Sequence, residues 1–193
     1  MITCIDYPIE KGFSSQFGED KWITDNLPLP AKGFYVDIGA NSPTVISNTK
    51  FLRDRGWQGI QIDAEARYKA EWQKLGYSLD VGIIATQDKV SFNFHPNPDL
   101  SGIGAGKEMP AIRLNDWLKS HKVTAIDLLS CDIEGYEYEV LTSLDYEKHK
   151  PSIIIFEYKT NGAEDYRLCP FLQGKGYKEV HRTFANFIYV RGD

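Results

Sequence analysis

The sequence predicts an α/β protein: a mostly parallel sheet with helices on both faces, closed at one edge by an antiparallel hairpin. Three observations predict it. Apolar, strand-like runs alternate with helical stretches, which is how crossovers build a parallel sheet. Three of those runs end in a carboxylate, at Asp63, Asp132 and Glu157, and a fourth acid, Asp37, lies within the end of its own run. Two strand-like runs then follow one another directly near residue 193.

The elements follow in order. Phe17, Trp22, Ile23 and Leu27 recur at helical spacing over 15–26, and Pro28 and Pro30 end that lead-in helix. A first strand is predicted at 33–38, then a helix from Ser42-Pro43 to about 55, stopped by Gly56. A second strand covers 58–63 and a helix 66–75, ended by Gly76. A third strand is predicted near 79–85, and a fourth, with alternating character, near 89–95. The stretch 95–109 has Gly, Pro and polar residues without periodicity and reads as a long functional loop. A helix near 113–121, a strand at 125–131, a helix at 136–145 and a strand at 152–156 come next. A helix at 163–174 precedes the hairpin strands 177–182 and 186–191.

A chain of 193 residues suits one domain, with residues 1–30 as a lead-in or lid segment. Net charge is −5 without a long basic run, which argues against a nucleic-acid coat or a polybasic membrane anchor. Cys4, Cys131 and Cys169 are far apart and form no CxxC pair, so neither a disulfide framework nor a zinc site is expected. Cys131, inside an apolar run, reads as a buried, inert thiol. No run approaches the roughly 20 apolar residues of a membrane span, and a cytoplasmic location is expected. Trp57, Trp72 and Trp117 read as core residues, Trp22 as packing beneath the lead-in helix, and His121, His149 and His181 as helix-end or surface residues.

The turn Asp37-Ile38-Gly39-Ala40-Asn41 carries the strongest functional signal. A glycine after a first strand and an acid after a second are how an open α/β sheet holds a nucleoside-like cofactor. The GxGxxG spacing of a dinucleotide fold is missing, because only Gly39 occupies a glycine position. A pyrophosphate needs that close backbone approach and helix N-terminal donors. S-adenosylmethionine has no phosphate and needs a tight turn past its amino-acid tail, which Asp37 and Gly39 suit, and an acid for its ribose hydroxyls, which Asp63 suits. The plainer use of the segment is a strand-turn-helix with Asp37 as a cap.

Five blocks extend this signal: Ser15-Gln16-Phe17-Gly18-Glu19-Asp20, Phe34 to Asn41, Ser47-Asn48-Thr49, Gly56-Trp57-Gln58-Gly59-Ile60, and Asp127 to Glu137. In this order they resemble the FkbM family of S-adenosylmethionine-dependent methyltransferases, over residues 15 to about 160. The resemblance implies a Rossmann-like, seven-stranded class I methyltransferase fold and, for most characterised members, O-methylation. It implies that Asp37, Gly39, Ala40 and Asn41 line the methionine part of the cofactor and that Asp63 takes the ribose hydroxyls. Here the chain has Asp63-Ala64-Glu65, where the family more often has glutamate followed by proline. Asp80, Val81 and Gly82 match the region that contacts adenine, Ala64 is counted with Asp63 among the cofactor-binding residues, and Gln16 and Asp20 fall on a lid near the cofactor.

Asp132-Ile133-Glu134-Gly135 is the candidate for chemistry. Asp132 is expected near the cofactor's amino group and Glu134 toward the acceptor; the plainer use is a helix cap with a solvated acid. A hydroxyl acceptor needs a base, and Glu134 and His95 are the candidates. His95 opens the long loop, beside Asn93, Asn97 and Asp99. The expected partner is a small-molecule or glycan acceptor, a sugar or other polyol. The alternatives are a metal-assisted O-methyltransferase, with Asp132, Glu134 and Glu157 as ligands, and a non-catalytic cofactor-binding module; an NAD-dependent dehydrogenase is a distant third.

Overall fold

A computed structural model describes residue 6, residues 11–97 and residues 100–192. Cys4 and Asp99 lie outside the described residues. The elements run α1 (Glu19–Asn26), β1 (Phe34–Ile38), α2 (Lys50–Asp54), β2 (Gln58–Asp63), a 3₁₀ turn (Ala66–Tyr68), α3 (Lys69–Lys74), β3 (Asp80–Val81), β4 (Lys89–Asn93), β5 (Gly102–Ile103) and β6 (Lys107–Pro110). They continue as α4 (Leu114–Ser120), β7 (Leu128–Cys131), α5 (Glu137–Thr142), β8 (Ile153–Glu157), β9 (Lys159–Thr160), β10 (Ala163–Glu164), α6 (Leu168–Gly174), β11 (Tyr177–Arg182) and β12 (Asn186–Arg191).

The main sheet has the order β11-β12-β8-β7-β1-β2-β3. The five strands from β8 to β3 are parallel. The C-terminal pair is antiparallel, β12 to β8 and β11 to β12, with a bulge between Glu179 and His181. Strands buried on both faces read as unbroken apolar runs, which is why β1, β2, β7 and β8 stand out in the sequence. Their side chains alternate between two helical layers. Val36, Ile38, Leu129, Ile154 and Phe156 pack with residues of α4, α5 and α6. Tyr35, Leu128, Ile153 and Ile155 pack on the other face with Ile23 of α1 and Phe51 and Leu52 of α2. Trp57, Trp72 and Trp117 are buried as expected. No helix among the described residues is long and apolar enough to cross a membrane.

The structure corrects several boundaries. The helix expected from Ser42 to about 55 is confined to Lys50–Asp54. Ser42 Oγ accepts the amides of Thr44 and Val45, and Asn41 Oδ1 accepts that of Ser42. These local bonds compete with a helix, and Asn41 and Ile46 adopt positive φ, which a right-handed helix excludes. The third strand shrinks to Asp80–Val81, followed by an isolated bridge between Ile84 and Ile112. The expected loop 95–109 contains β5 and β6, which flank β4 in a second, antiparallel sheet. Val90 and Phe92 of β4 are its buried side chains. The helix expected from residue 163 begins at Leu168. Residues 163–164 pair with β9 across Asn161-Gly162, both at positive φ as a tight primed turn requires. His149 and His181 are buried, not on the surface, and His181 stacks on Trp22 with ring centroids 4.4 Å apart.

Candidate functional site

Residues at the carboxyl ends of β1, β2, β7 and β8 line a cleft of about 310 Å³. The turn after β1 closes its floor. Gly39 has φ 80°, and a Cβ there would overlap the Asp132 carbonyl. Glycine thus serves two needs at once, a left-handed turn and close approach of two strand ends. Gly39 N and Ala40 N donate to Ile62 O at 3.0 and 3.2 Å, and Asp132 N donates to Ile38 O at 2.9 Å. The ends of β1, β2 and β7 are therefore joined backbone to backbone.

Asp63, at the end of β2, accepts Asn41 N on Oδ2 and Glu65 N on Oδ1, both at 2.7 Å. Burial pushes its pKa up. Two N–H bonds leave about half of a carboxylate's acceptor positions for a ligand. Glu65 is also buried and accepts the Ser101 hydroxyl at 2.8 Å and Arg67 Nε at 2.9 Å. Ser101 Oγ in turn accepts His95 N at 2.9 Å, which ties the second sheet to the end of β2.

On the opposite strand ends, Asp132, Glu134 and Glu157 each offer an oxygen within 4.8 Å of the others. Burial first, and then the charges of Glu157 and Glu134, push the Asp132 carboxyl well above its usual range. Glu157 Oε2 accepts the Thr160 hydroxyl at 2.7 Å. Glu137, at the start of α5, reaches back over the turn: Oε1 accepts Ile133 N at 2.7 Å and Oε2 accepts Gly135 N at 3.1 Å. Burial raises its pKa to about 7. This clamp fixes Glu134 at φ 59° and Gly135 at φ 99°.

Backbone strain concentrates here. Among the described residues, six non-glycine residues have positive φ, and four of them, Asn41, Ile46, Glu134 and Asn161, line the cleft. Such conformations persist where the surroundings over-determine them, and they cluster at functional sites.

Of the residues singled out in the sequence, Gln16, Gly39, Asn41, Asp63, Ala64, Gly82, Asp132 and Glu134 line the cleft. Asp37, Ala40, Asp80, Val81, Asp20 and His95 do not, and Asp80 Oδ2 instead accepts Trp117 Nε1 at 2.6 Å. Asp37 shares a strand face with Tyr35, two residues back, so its side chain points under α2. There it accepts the Thr49 hydroxyl at 2.6 Å, and Thr49 Oγ1 accepts Arg53 Nη1 at 2.7 Å. Burial raises the Asp37 pKa to about 6. Ala40 packs with Trp72 and Leu79, and Val81 is exposed to solvent. Asp20 is buried and accepts Ser14 N, Ser15 N and the Ser15 hydroxyl, pinning the lead-in segment from which Gln16 reaches the cleft. The His95 ring turns onto its own loop, where Nδ1 accepts Asn97 N at 3.0 Å. Glu65 and Glu137 were given no role in the sequence, and Ser101 was read only as one of the polar residues of the 95–109 loop. Each works through its neighbours, and only the acidic residue type at 65 and 137 was visible.

The model of the Methyltransferase FkbM domain matches residues 37–179, from the strand that precedes the Gly39 turn into β11. No curated protein matches the chain. The matched span carries the turn, the strand-end acids and the carboxylate cluster, and on it the chain belongs to the FkbM methyltransferase family.

Proposed function

We propose that the protein transfers a methyl group from S-adenosylmethionine to a hydroxyl of a sugar or other small acceptor. The observation that carries this is the cleft's division of labour. Acceptors for hydroxyls, Asp63 and Glu65, stand on one side, and the convergent carboxylates of Asp132, Glu134 and Glu157 on the other. The donor set suits the cofactor: vicinal ribose hydroxyls need acceptors, and ammonium and sulfonium charges need carboxylates. Ile83, Phe92 and Leu100 supply an apolar wall for a base. The strand order, with β12 antiparallel between β8 and β11, supports a class I methyltransferase fold.

The cofactor supplies an activated methyl on a cationic sulfur. The protein's task is alignment and proton removal. Asp63 and Glu65 anchor the ribose, the Gly39 turn lets the chain approach closely, and Asp132 faces the ammonium group. Glu134, held by the Glu137 clamp and facing the cleft, takes the acceptor's proton as the bond forms. His95 is less suited to that role because its ring nitrogen is engaged by Asn97. Calorimetry with S-adenosylhomocysteine tests the cofactor assignment; absence of binding sinks it. With transfer followed from radiolabelled S-adenosylmethionine across a panel of glycosides, Glu134→Gln should keep cofactor affinity while turnover drops by about 10²–10⁴.

A second reading rests on the same three carboxylates. Oxygens this close suit a hard divalent cation, and Asp132, Glu134 and Glu157 would hold Mg²⁺ beside the acceptor, lowering its hydroxyl pKa. Turnover that survives chelation and is indifferent to added Mg²⁺ discards it.

A further inference from the structure

The carboxylate floor of the cleft suits a hydroxyl, but part of its lip is apolar. Ile46 lines the cleft, is 48% exposed and has φ 53°. A β-branched residue in the left-handed region is a genuine outlier, and asparagine or glycine would hold that backbone with far less strain. The chain nevertheless presents isoleucine there, next to Val45, which is 61% exposed. The lip is braced from beneath. Ser47 N donates to Ser14 O at 3.0 Å, and Arg53 donates to Pro43 O and, at 3.4 Å, to Ser47 Oγ.

We propose that Ile46 is a specificity-determining residue that packs against a hydrocarbon portion of the acceptor. The substrate is then an amphipathic alcohol, with its hydroxyl above Glu134 and its apolar body along the Val45–Ile46 lip. This rests on the methyl-transfer reading and narrows it, because a simple polyol would leave Ile46 facing water.

The test is a titration of the protein, saturated with S-adenosylhomocysteine, with 1-alkanols from ethanol to hexanol, followed by ligand-observed NMR. Affinity should rise about twofold to fourfold per methylene in the native protein. Ile46→Asn, which keeps the left-handed backbone, should cut the hexanol-to-ethanol preference to about a third or less, as expected from loss of the apolar contact. Leu75→Asn, an exposed apolar position outside the cleft, should leave the preference intact. No chain-length preference in the native protein, or one that Ile46→Asn leaves unchanged, overturns the inference while the cofactor reading stands. Failure of S-adenosylhomocysteine to bind overturns both.

Discussion

Gly39 and Gly56 share the same backbone angle, φ 80°, but not the same surroundings. A Cβ at Gly56 meets nothing within 4 Å, whereas one at Gly39 runs into the Asp132 carbonyl. Comparing alanine at the two positions separates backbone strain from steric conflict. The left-handed conformation costs alanine roughly 1–2 kcal/mol. Reduced freedom of the unfolded chain returns about 0.4–1 kcal/mol of that. Gly56→Ala should therefore lose about 1 kcal/mol. Gly39→Ala pays the same plus the cost of pushing β1 and β7 apart, about 1–3 kcal/mol by analogy with overpacked cores. At about 2–4 °C per kcal/mol for a domain of this size, Gly39→Ala should melt about 2–12 °C below Gly56→Ala. Displacement of Asp132 also disturbs the carboxylate cluster, so S-adenosylhomocysteine affinity should fall about tenfold, equivalent to about 1.4 kcal/mol. Thermal unfolding by circular dichroism and calorimetry read the two effects. Equal melting temperatures and equal affinities for the two variants would refute the steric argument.

Other outcomes follow from the buried charges. Asp37 and Glu137 hold their protons more tightly folded, with pKa about 6 and about 7, than as free carboxyls near 4. Raised acid pKa values cost stability as pH rises, by about 3 kcal/mol per group between about pH 4 and pH 7. Asp37→Asn should flatten its share in urea titrations at pH 5 and pH 8; an unchanged pH slope contradicts this. His149 acts in the opposite sense. Its ring is buried with no hydrogen-bond partner at either nitrogen among the described residues, and burial lowers its pKa, so stability falls as pH drops below about 6.5. His149→Leu should remove that acid limb, seen as a smaller melting-temperature loss between pH 7.5 and pH 5. Arg53 is buried 4.4 Å from the centre of the Trp72 ring and donates to Thr49 Oγ1 and Pro43 O. Arg53→Met should cost about 3–5 kcal/mol and speed amide exchange across 43–49; a loss under about 1 kcal/mol would show that the network is dispensable.

How much of this was legible in the sequence depended on what each residue answers to. β1, β2, β7 and β8 answer to burial on both faces, so their runs were plain. β5 and β6 answer mainly to backbone pairing, with one apolar side chain each, Ile103 and Met109, packed on the second sheet: Gly102-Ile103 and Lys107–Pro110 have neither alternation nor strand composition. The loop at 42–49 read as helix because Ser42-Pro43 is a good helix start, while the side-chain bonds that prevent it depend on geometry. At the site, the strand-end acids Asp63, Asp132 and Glu157 were visible because a carboxylate is conspicuous after an apolar run. Asp37 was conspicuous for the same reason, yet strand parity sends it to the other face of the sheet. Glu137 was hidden because an acid in the first turn of a helix is ordinary, and nothing in its spacing distinguishes a clamp on Ile133 and Gly135 from a solvated charge.

β12 sits inside the main sheet although it follows the other six strands of that sheet in the chain, which matters during biosynthesis. Until residues 186–191 have emerged, β8 is an open edge with the sequence Ile153-Ile154-Ile155-Phe156. An uncharged, apolar edge of that kind is a template for pairing with other chains. Glu19 reinforces the same late closure: it accepts Thr183 Oγ1 and Asn186 Nδ2, each at 2.8 Å, across more than 160 residues of chain. The nascent protein thus passes through a stage in which this apolar strand is synthesised and uncovered, and any truncation between β8 and β12 makes that stage permanent.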